Sequence, residues 1–174
     1  TFLSGIDAMA KQMRALVERL LELARAENEQ AACAFEPCDL SQITESSALL
    51  FEAALFERGL TLQRELEADI MVSGDRRQLS QLVEIYLDNA RKYASGGTVT
   101  VRLSRCGKNR CCLSVSNEGG AIAPQALRQI FDRFSRADAA RTRDGSFGLG
   151  LSIAQAIAQT HGGSVWAESE TGVN

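Results

Sequence analysis

Residues 78–94, QLSQLVEIYLDNARKYA, place the tightest constraint on how this chain folds. Leu79, Leu82, Val83, Tyr86, Ala90 and Tyr93 recur at three- and four-residue steps, so they form one apolar stripe of a helix that needs covering. Beside that stripe, Ile85, Asn89 and Lys92 (i, i+4, i+7) line up on a second face. A carboxamide and an ammonium one turn apart near a helix end are suited to a metal ion and a phosphate. An amphipathic core helix whose Asn and Lys simply meet water has the same spacing, and the helix alone leaves both readings open.

The 174 residues suffice for one ordinary domain and a short appendage, and 45% hydrophobic with 24% charged residues reads as globular. A formal net charge of −3 gives no reason to expect nucleic acid as a partner. The arginines from Arg128 to Arg143 suit a small polyanion better than a duplex. No apolar run approaches the roughly 20 residues that span a bilayer, so a membrane anchor is expected only in upstream segments outside this sequence. The five cysteines (Cys33, Cys38, Cys106, Cys111, Cys112) form no regular framework and His161 is the only histidine, so reduced thiols are expected and a metal–thiolate site is not.

Taken in order, Phe2, Ile6, Met9, Met13, Leu16, Leu20 and Leu23 step by 4, 3, 4, 3, 4, 3, a heptad seam over residues 1–30. One helix cannot bury such a seam alone, so a homodimer or another partner helix is expected, against the alternative that it lies on its own domain. Residues 31–38 lose the period and are expected as a linker running into a short edge strand, with Asp39 or Ser41 capping a helix over 41–58. Gly59 stands at the C-cap of that helix, 61–67 and 70–72 read as strands, and Asp75 caps the helix of the opening stretch. TVTVRLSR and CCLSVSN flank CGKNR as a hairpin, 124–134 reads as a short helix, and 135–146 as a polar mobile loop. A helix over 149–160 and a strand over 164–168 follow. The sum is an α/β protein, a two-layer sandwich with a mixed sheet containing two hairpins and covered on one face by helices.

Gly145, Gly148 and Gly150 precede an apolar-periodic helix, and SNEGGAI at 116–122 follows a strand end. Glycines let a backbone approach phosphates closely, and a helix N-terminus offers free N–H groups. Neither bend has the form of a Walker loop or a Rossmann fingerprint.

With these pieces in view, the chain resembles the catalytic ATP-binding domain of sensor histidine kinases from two-component systems, a Bergerat-type fold. LDNARKYA looks like the N box, VSNEGGAI the first glycine box, IFDRFSRAD the F box, SFGLGLSIA the second glycine box and HGGSVWAES the region after it. Residues 1–30 look like the second helix of the dimerisation and phosphotransfer hairpin, 31–38 a linker, and 39–174 the catalytic domain with its closing strand missing. The resemblance implies that Asn89 ligates Mg²⁺, Lys92 lies near the phosphates and Tyr93 packs by the adenine. Asn117 stands where an aspartate usually accepts from the adenine amino group, and Gly119, Ala121 and Ile122 line the same bend. Phe134 belongs to the F box, Arg136 matches an arginine near the γ-phosphate, and Gly145, Gly148, Leu149, Gly150 and Leu151 form the second glycine-rich wall. Arg136 and Lys92 are the residues implied in catalysis.

Several positions depart from the pattern. Ile85 replaces the first N-box asparagine, Gly120 and Ala121 the usual Pro-Gly, Ser135 an aromatic, and Phe147 a small hydroxyl residue. The phosphoacceptor histidine is absent, because His161 sits in a Gly-Gly turn context, so this segment alone is not expected to autophosphorylate. The implied function is a histidine kinase that binds ATP with Mg²⁺ and passes the γ-phosphoryl to a histidine and then to a response regulator. Its implied place is the cytoplasmic portion of a membrane-anchored sensor, with homodimerisation through 1–30. A nucleotide-free dimerisation scaffold and a related Bergerat-type ATPase are the alternatives. The latter needs a glutamate base where Ile85 stands.

Overall fold

The computed structural model describes residues 2–28, 35–135, 147–170 and 172–173. The elements run α1 (Phe2–Asn28), β1 (Glu36–Asp39), α2 (Leu40–Phe56), β2 (Thr61–Leu66), β3 (Met71–Gly74) and α3 (Arg76–Tyr93), then β4 (Gly96–Arg105), β5 (Cys111–Gly119), α4 (Pro124–Gln129), α5 (Gly150–Thr160) and β6 (Gly172–Val173). The main sheet has the order β2-β4-β5-β6, with β2 and β4 parallel and the other pairs antiparallel. This is the expected mixed sheet. Val99, Val101 and Leu103 of β4 point under the helices and are buried, while Thr98, Thr100 and Arg102 alternate to the opposite face. Helices α2 and α3 cover the sheet, and α5 packs beside α3.

Local chemistry explains the boundaries. Asp39 Oδ1 accepts from the Gln42 N–H at 3.0 Å and so caps α2, while Ser41 Oγ donates to Glu67 O and accepts from the Ile70 N–H. Helix α2 closes with Leu60 N–H bonded to Leu55 O and Gly59 N–H to Phe56 O, the paired bonds of a Schellman turn. That turn needs the left-handed backbone Gly59 adopts at φ +71°. Arg64 reaches from β2 to α2, where its Nη1 lies 3.4 Å from Glu45 and 3.5 Å from Glu52.

Three expectations change. The second hairpin does not form, because β3 pairs antiparallel with β1 in a separate two-stranded sheet, Cys38 opposite Val72. The helix expected over 124–134 ends at Gln129 and gives way to turns. Residues 164–168 keep the strand-like alternation, Val165 and Ala167 inward and Trp166 outward, yet they enter no ladder. The β5 edge there is met instead by β6, at Glu118 and Gly119.

The heptad seam divides. Leu23 is 3% exposed in a cluster with Ile85, Leu149 and Ile153, and Leu16 packs on the same cluster. Ile6, Met9, Met13 and Leu20 stay exposed. The end of α1 therefore lies on its own domain, and Ile6, Met9, Met13 and Leu20 are uncovered. Among the described residues, Cys38, Cys106, Cys111 and Cys112 are free thiols and no cluster suits a metal ion. Burial, then neighbouring Cys106 and Cys112, pushes the Cys111 thiol up. None of the described helices is long and apolar enough to cross a membrane.

His161 ties the two ends of the helical layer together. Its Nε2 accepts the Asp75 N–H at 3.1 Å, its Nδ1 meets Ile157 O at 2.8 Å, and its ring stacks on Phe35 with centroids 4.8 Å apart. With Nε2 accepting from Asp75, the contact to Ile157 O places a hydrogen on Nδ1. His161→Phe keeps the ring but removes the acceptor that Nε2 offers the Asp75 N–H, so unfolding free energy is expected to fall by about 1–2 kcal/mol in a denaturant titration. An unchanged midpoint would show that the bond contributes nothing.

Candidate functional site

Helix α3 carries the site because it is buried on two sides. Toward the sheet, Val83 and Leu87 pack against Val101, and Ala90 and Ala94 against Val99 and Leu55. Toward α5, Ile85 packs among Leu149, Ile153 and Ile157, with Leu82, Tyr86, Phe147 and Leu151 at the margin. Burial pushes the Tyr86 phenol up to about 12, so it stays neutral. Ile85 and Leu87 are thus core residues, and Tyr93, placed on the apolar stripe by its spacing, is 41% exposed.

The helix is anchored above and below Asn89. At one end Asp75 Oδ1 accepts from the Gln78 N–H, and at the other the Ser95 N–H donates to Glu118 O in the first glycine-rich bend at 3.0 Å. One turn before Asn89, Ile85 meets the start of α5: a Cβ on Gly150 would touch Ile85 Cγ2 at 3.5 Å. Helical spacing sets Asn89 between these two junctions, with Lys92 and Tyr93 following on the same side. Both glycine-rich segments are therefore joined to the helix bearing the carboxamide.

Asn89 is half-buried, and its Nδ2 is enclosed by protein with no hydrogen-bond partner among the described residues. A buried, unsatisfied amide costs about 1–3 kcal/mol, so this group fits a ligand that satisfies it. Its donor–acceptor pair suits an oxyanion on the nitrogen and a hard cation such as Mg²⁺ on the oxygen. Lys92 Nζ lies 2.5 Å from Asp88 Oδ2, and Arg91 Nη2 lies 2.7 Å from Asp88 Oδ1. Partial burial raises Asp88, but hydrogen bonds from Lys92 and Arg91 outweigh it and hold the carboxyl below its ordinary range.

The glycine-rich walls present backbone. Asn117 Nδ2 donates to Glu118 O at 3.2 Å, which leaves its Oδ1 as an acceptor. Gly119 is buried at the end of β5, Gly120 and Ala121 are exposed, and the Ile122 N–H donates to Ser169 Oγ. The Phe134 N–H donates to Gly148 O at 3.0 Å, joining the segments on either side of 136–146. Both ends of that bond are left-handed, Phe134 at φ +61° and Gly148 at φ +69°. Helix α5 starts after buried Leu149 with no side-chain cap among the described residues, so no cap side chain satisfies its first N–H groups, which suits an anion. Arg136 and Gly145 lie outside the described residues.

Asp88 and Arg91 escaped the sequence reading, although their i, i+3 and i, i+4 spacing to one another and to Lys92 marks an ion-pair cluster. Phe147, which departs from the family pattern, fills the margin of the Ile85 cluster.

Comparison with known proteins gives the family and the fold. The family described as Histidine kinase-, DNA gyrase B-, and HSP90-like ATPase matches residues 74–174. The sensor histidine kinase TrcS of Mycobacterium tuberculosis is 36% identical over 175 residues, covering 98% of this chain and 34% of TrcS. The sensor protein DltS of Streptococcus agalactiae is 28% identical over 169 residues, covering 97% of this chain and 43% of DltS. The chain thus spans less than half the length of these relatives. The structure of the catalytic domain of histidine kinase ThkA superposes with a TM-score of 0.69 at 25% identity, over 81% of this chain and 91% of that domain's chain. The chain belongs to the histidine kinase-, DNA gyrase B- and HSP90-like ATPase family, and its mixed-sheet sandwich is a Bergerat-type α/β fold similar to the catalytic domain of histidine kinase ThkA.

Proposed function

We propose that this domain binds ATP with Mg²⁺ between α3 and the two glycine-rich bends and delivers the γ-phosphoryl to a histidine on a dimerisation helix, for relay to a response-regulator aspartate. The carrying observation is the enclosed Nδ2 of Asn89, unpartnered among the described residues, on a helix joined to the first glycine-rich bend through Ser95 and to the start of α5 through Ile85. Asn89 and the α5 N–H groups hold the phosphates, and Lys92 with Arg136 offsets their charge. Asn117 and Ile122 receive the purine, with Tyr93 at its edge and Gly119, Ala121, Phe134, Gly145, Gly148, Gly150 and Leu151 completing the walls. Mg²⁺, when bound, would be held through the Asn89 side-chain oxygen and would offset the charge of the phosphates. The protein's part is to position and to stabilise charge, since phosphoryl transfer asks for little covalent help.

Residues 1–30 act as the second helix of a dimerisation hairpin, and the uncovered seam of Ile6, Met9 and Met13 supports a homodimer there. Residues 31–38 link this helix to the catalytic domain at 39–174. The site faces the cytoplasm, where ATP is available. A hydrolase of the gyrase type is disfavoured by Ile85, which is buried and apolar where a base is needed.

The test is a kinase assay on the full-length protein with γ-labelled ATP and Mg²⁺. Label that is lost in acid and kept in alkali, as for a phosphohistidine, is expected. Steady phosphate release without labelled protein would contradict the kinase reading in favour of a hydrolase.

A further inference from the structure

Two cations of α3 converge on one carboxylate beside Asn89. Arg91 gives its Nε and Nη2 to Asp88 Oδ1 at 3.2 and 2.7 Å, and Lys92 gives its Nζ to Oδ2 at 2.5 Å. The side chains of Asp88, Arg91 and Lys92 are 27%, 32% and 21% exposed, so the cluster is partly withdrawn from water. We propose that Asp88 competes with the nucleotide phosphates for Lys92, and that Arg91 is the positioning residue that lets Lys92 exchange one for the other. The inference rests on the nucleotide reading above.

The division of oxygens is what permits the exchange. A polyphosphate attracts Lys92 more strongly than one carboxylate does. Its departure is costly, however, if it leaves Asp88 as an uncompensated, half-desolvated charge. Arg91 occupies the other oxygen with two N–H donors and stays when Lys92 turns away. Asp88 then keeps a cation in either arrangement. Without Arg91, each Lys92–phosphate contact is formed at the expense of an unpaired aspartate.

The experiment is calorimetric binding of a non-hydrolysable ATP analogue with Mg²⁺ to the parent protein, Arg91→Gln, Asp88→Asn and the double variant, with circular dichroism confirming that each folds. Arg91→Gln is expected to bind about tenfold more weakly. Asp88→Asn should bind as tightly as the parent or up to about threefold more tightly, and the double variant should return to within about threefold of the parent. A residue that merely stabilises the helix gives no such rescue. Arg91→Lys, which keeps the charge and loses the two-pronged contact, gives a smaller loss and serves in place of a Gln variant that does not fold. Arg91→Gln with parental affinity, or a double variant as weak as Arg91→Gln alone, overturns the proposal while leaving the nucleotide reading in place. Absence of binding by the parent overturns both.

Discussion

Replacing Asn89 by alanine is expected to weaken Mg²⁺-dependent nucleotide binding by at least about thirtyfold, a loss near 2 kcal/mol. The same change should leave the nucleotide-free protein as stable as before, or more stable by up to about 1 kcal/mol. The opposite signs come from one fact: the Nδ2 of Asn89 is buried with no partner among the described residues, so folding gains nothing from it. A ligand that supplies an acceptor for that nitrogen and a cation for the oxygen gains the whole interaction. Calorimetry with and without Mg²⁺, paired with denaturant unfolding, reads both quantities. A variant that binds normally but unfolds more easily would make Asn89 a structural residue.

Ile85→Asn, which restores the residue usual at the start of an N box, is expected to cost about 3 kcal/mol or more of stability and to bring no gain in nucleotide affinity. Ile85 is 7% exposed among Leu149, Ile153 and Leu23, with Gly150 against its Cγ2. An asparagine there loses the aliphatic contacts and buries a carboxamide with no partner in view. Ile85→Val, by contrast, should cost only about 0.5–1.5 kcal/mol. Since single domains have about 5–15 kcal/mol in total, the asparagine variant is expected to show a clearly lower denaturant midpoint. Unchanged stability with tighter Mg²⁺-dependent binding would mean that position 85 opens onto the ligand and not onto α5. The apolar residue here packs α5 against α3 one helical turn from Asn89, by apolar contact in place of a polar one.

The helices and most strands were legible because their periods are local properties of the chain. Asp39, Gly59 and Asp75 act at the helix ends their chemistry indicates. The β4–β5 hairpin announced itself by alternation on both sides of a glycine loop. Partner choice was not legible. Met71–Gly74 alternates like any short strand, and nothing within it says that it pairs with Glu36–Asp39, far back in sequence, and not with its neighbour β2.

Helix α3 shows a second limit. A helix buried against a sheet on one side and a helix on the other has no single stripe, so Ile85 and Leu87 looked less buried than they are. At the site, residue types and order pointed to Asn89, Lys92 and the glycines. The orphaned carboxamide, the Phe134–Gly148 bond and the hold of Asp88 on Lys92 depend on the folded backbone and on side-chain rotamers, which no spacing rule supplies.

The most direct measurement is an amide NMR titration of the protein with Mg²⁺ and a non-hydrolysable ATP analogue, following the Asn89 side-chain NH₂ together with the backbone amides of Gly119, Gly120, Gly148 and Gly150. Saturable, Mg²⁺-dependent shifts of the Asn89 NH₂ and of both glycine bends at one affinity are predicted. An Asn89 NH₂ that stays in place while shifts gather elsewhere, or while none occur, would contradict a triphosphate held at this carboxamide.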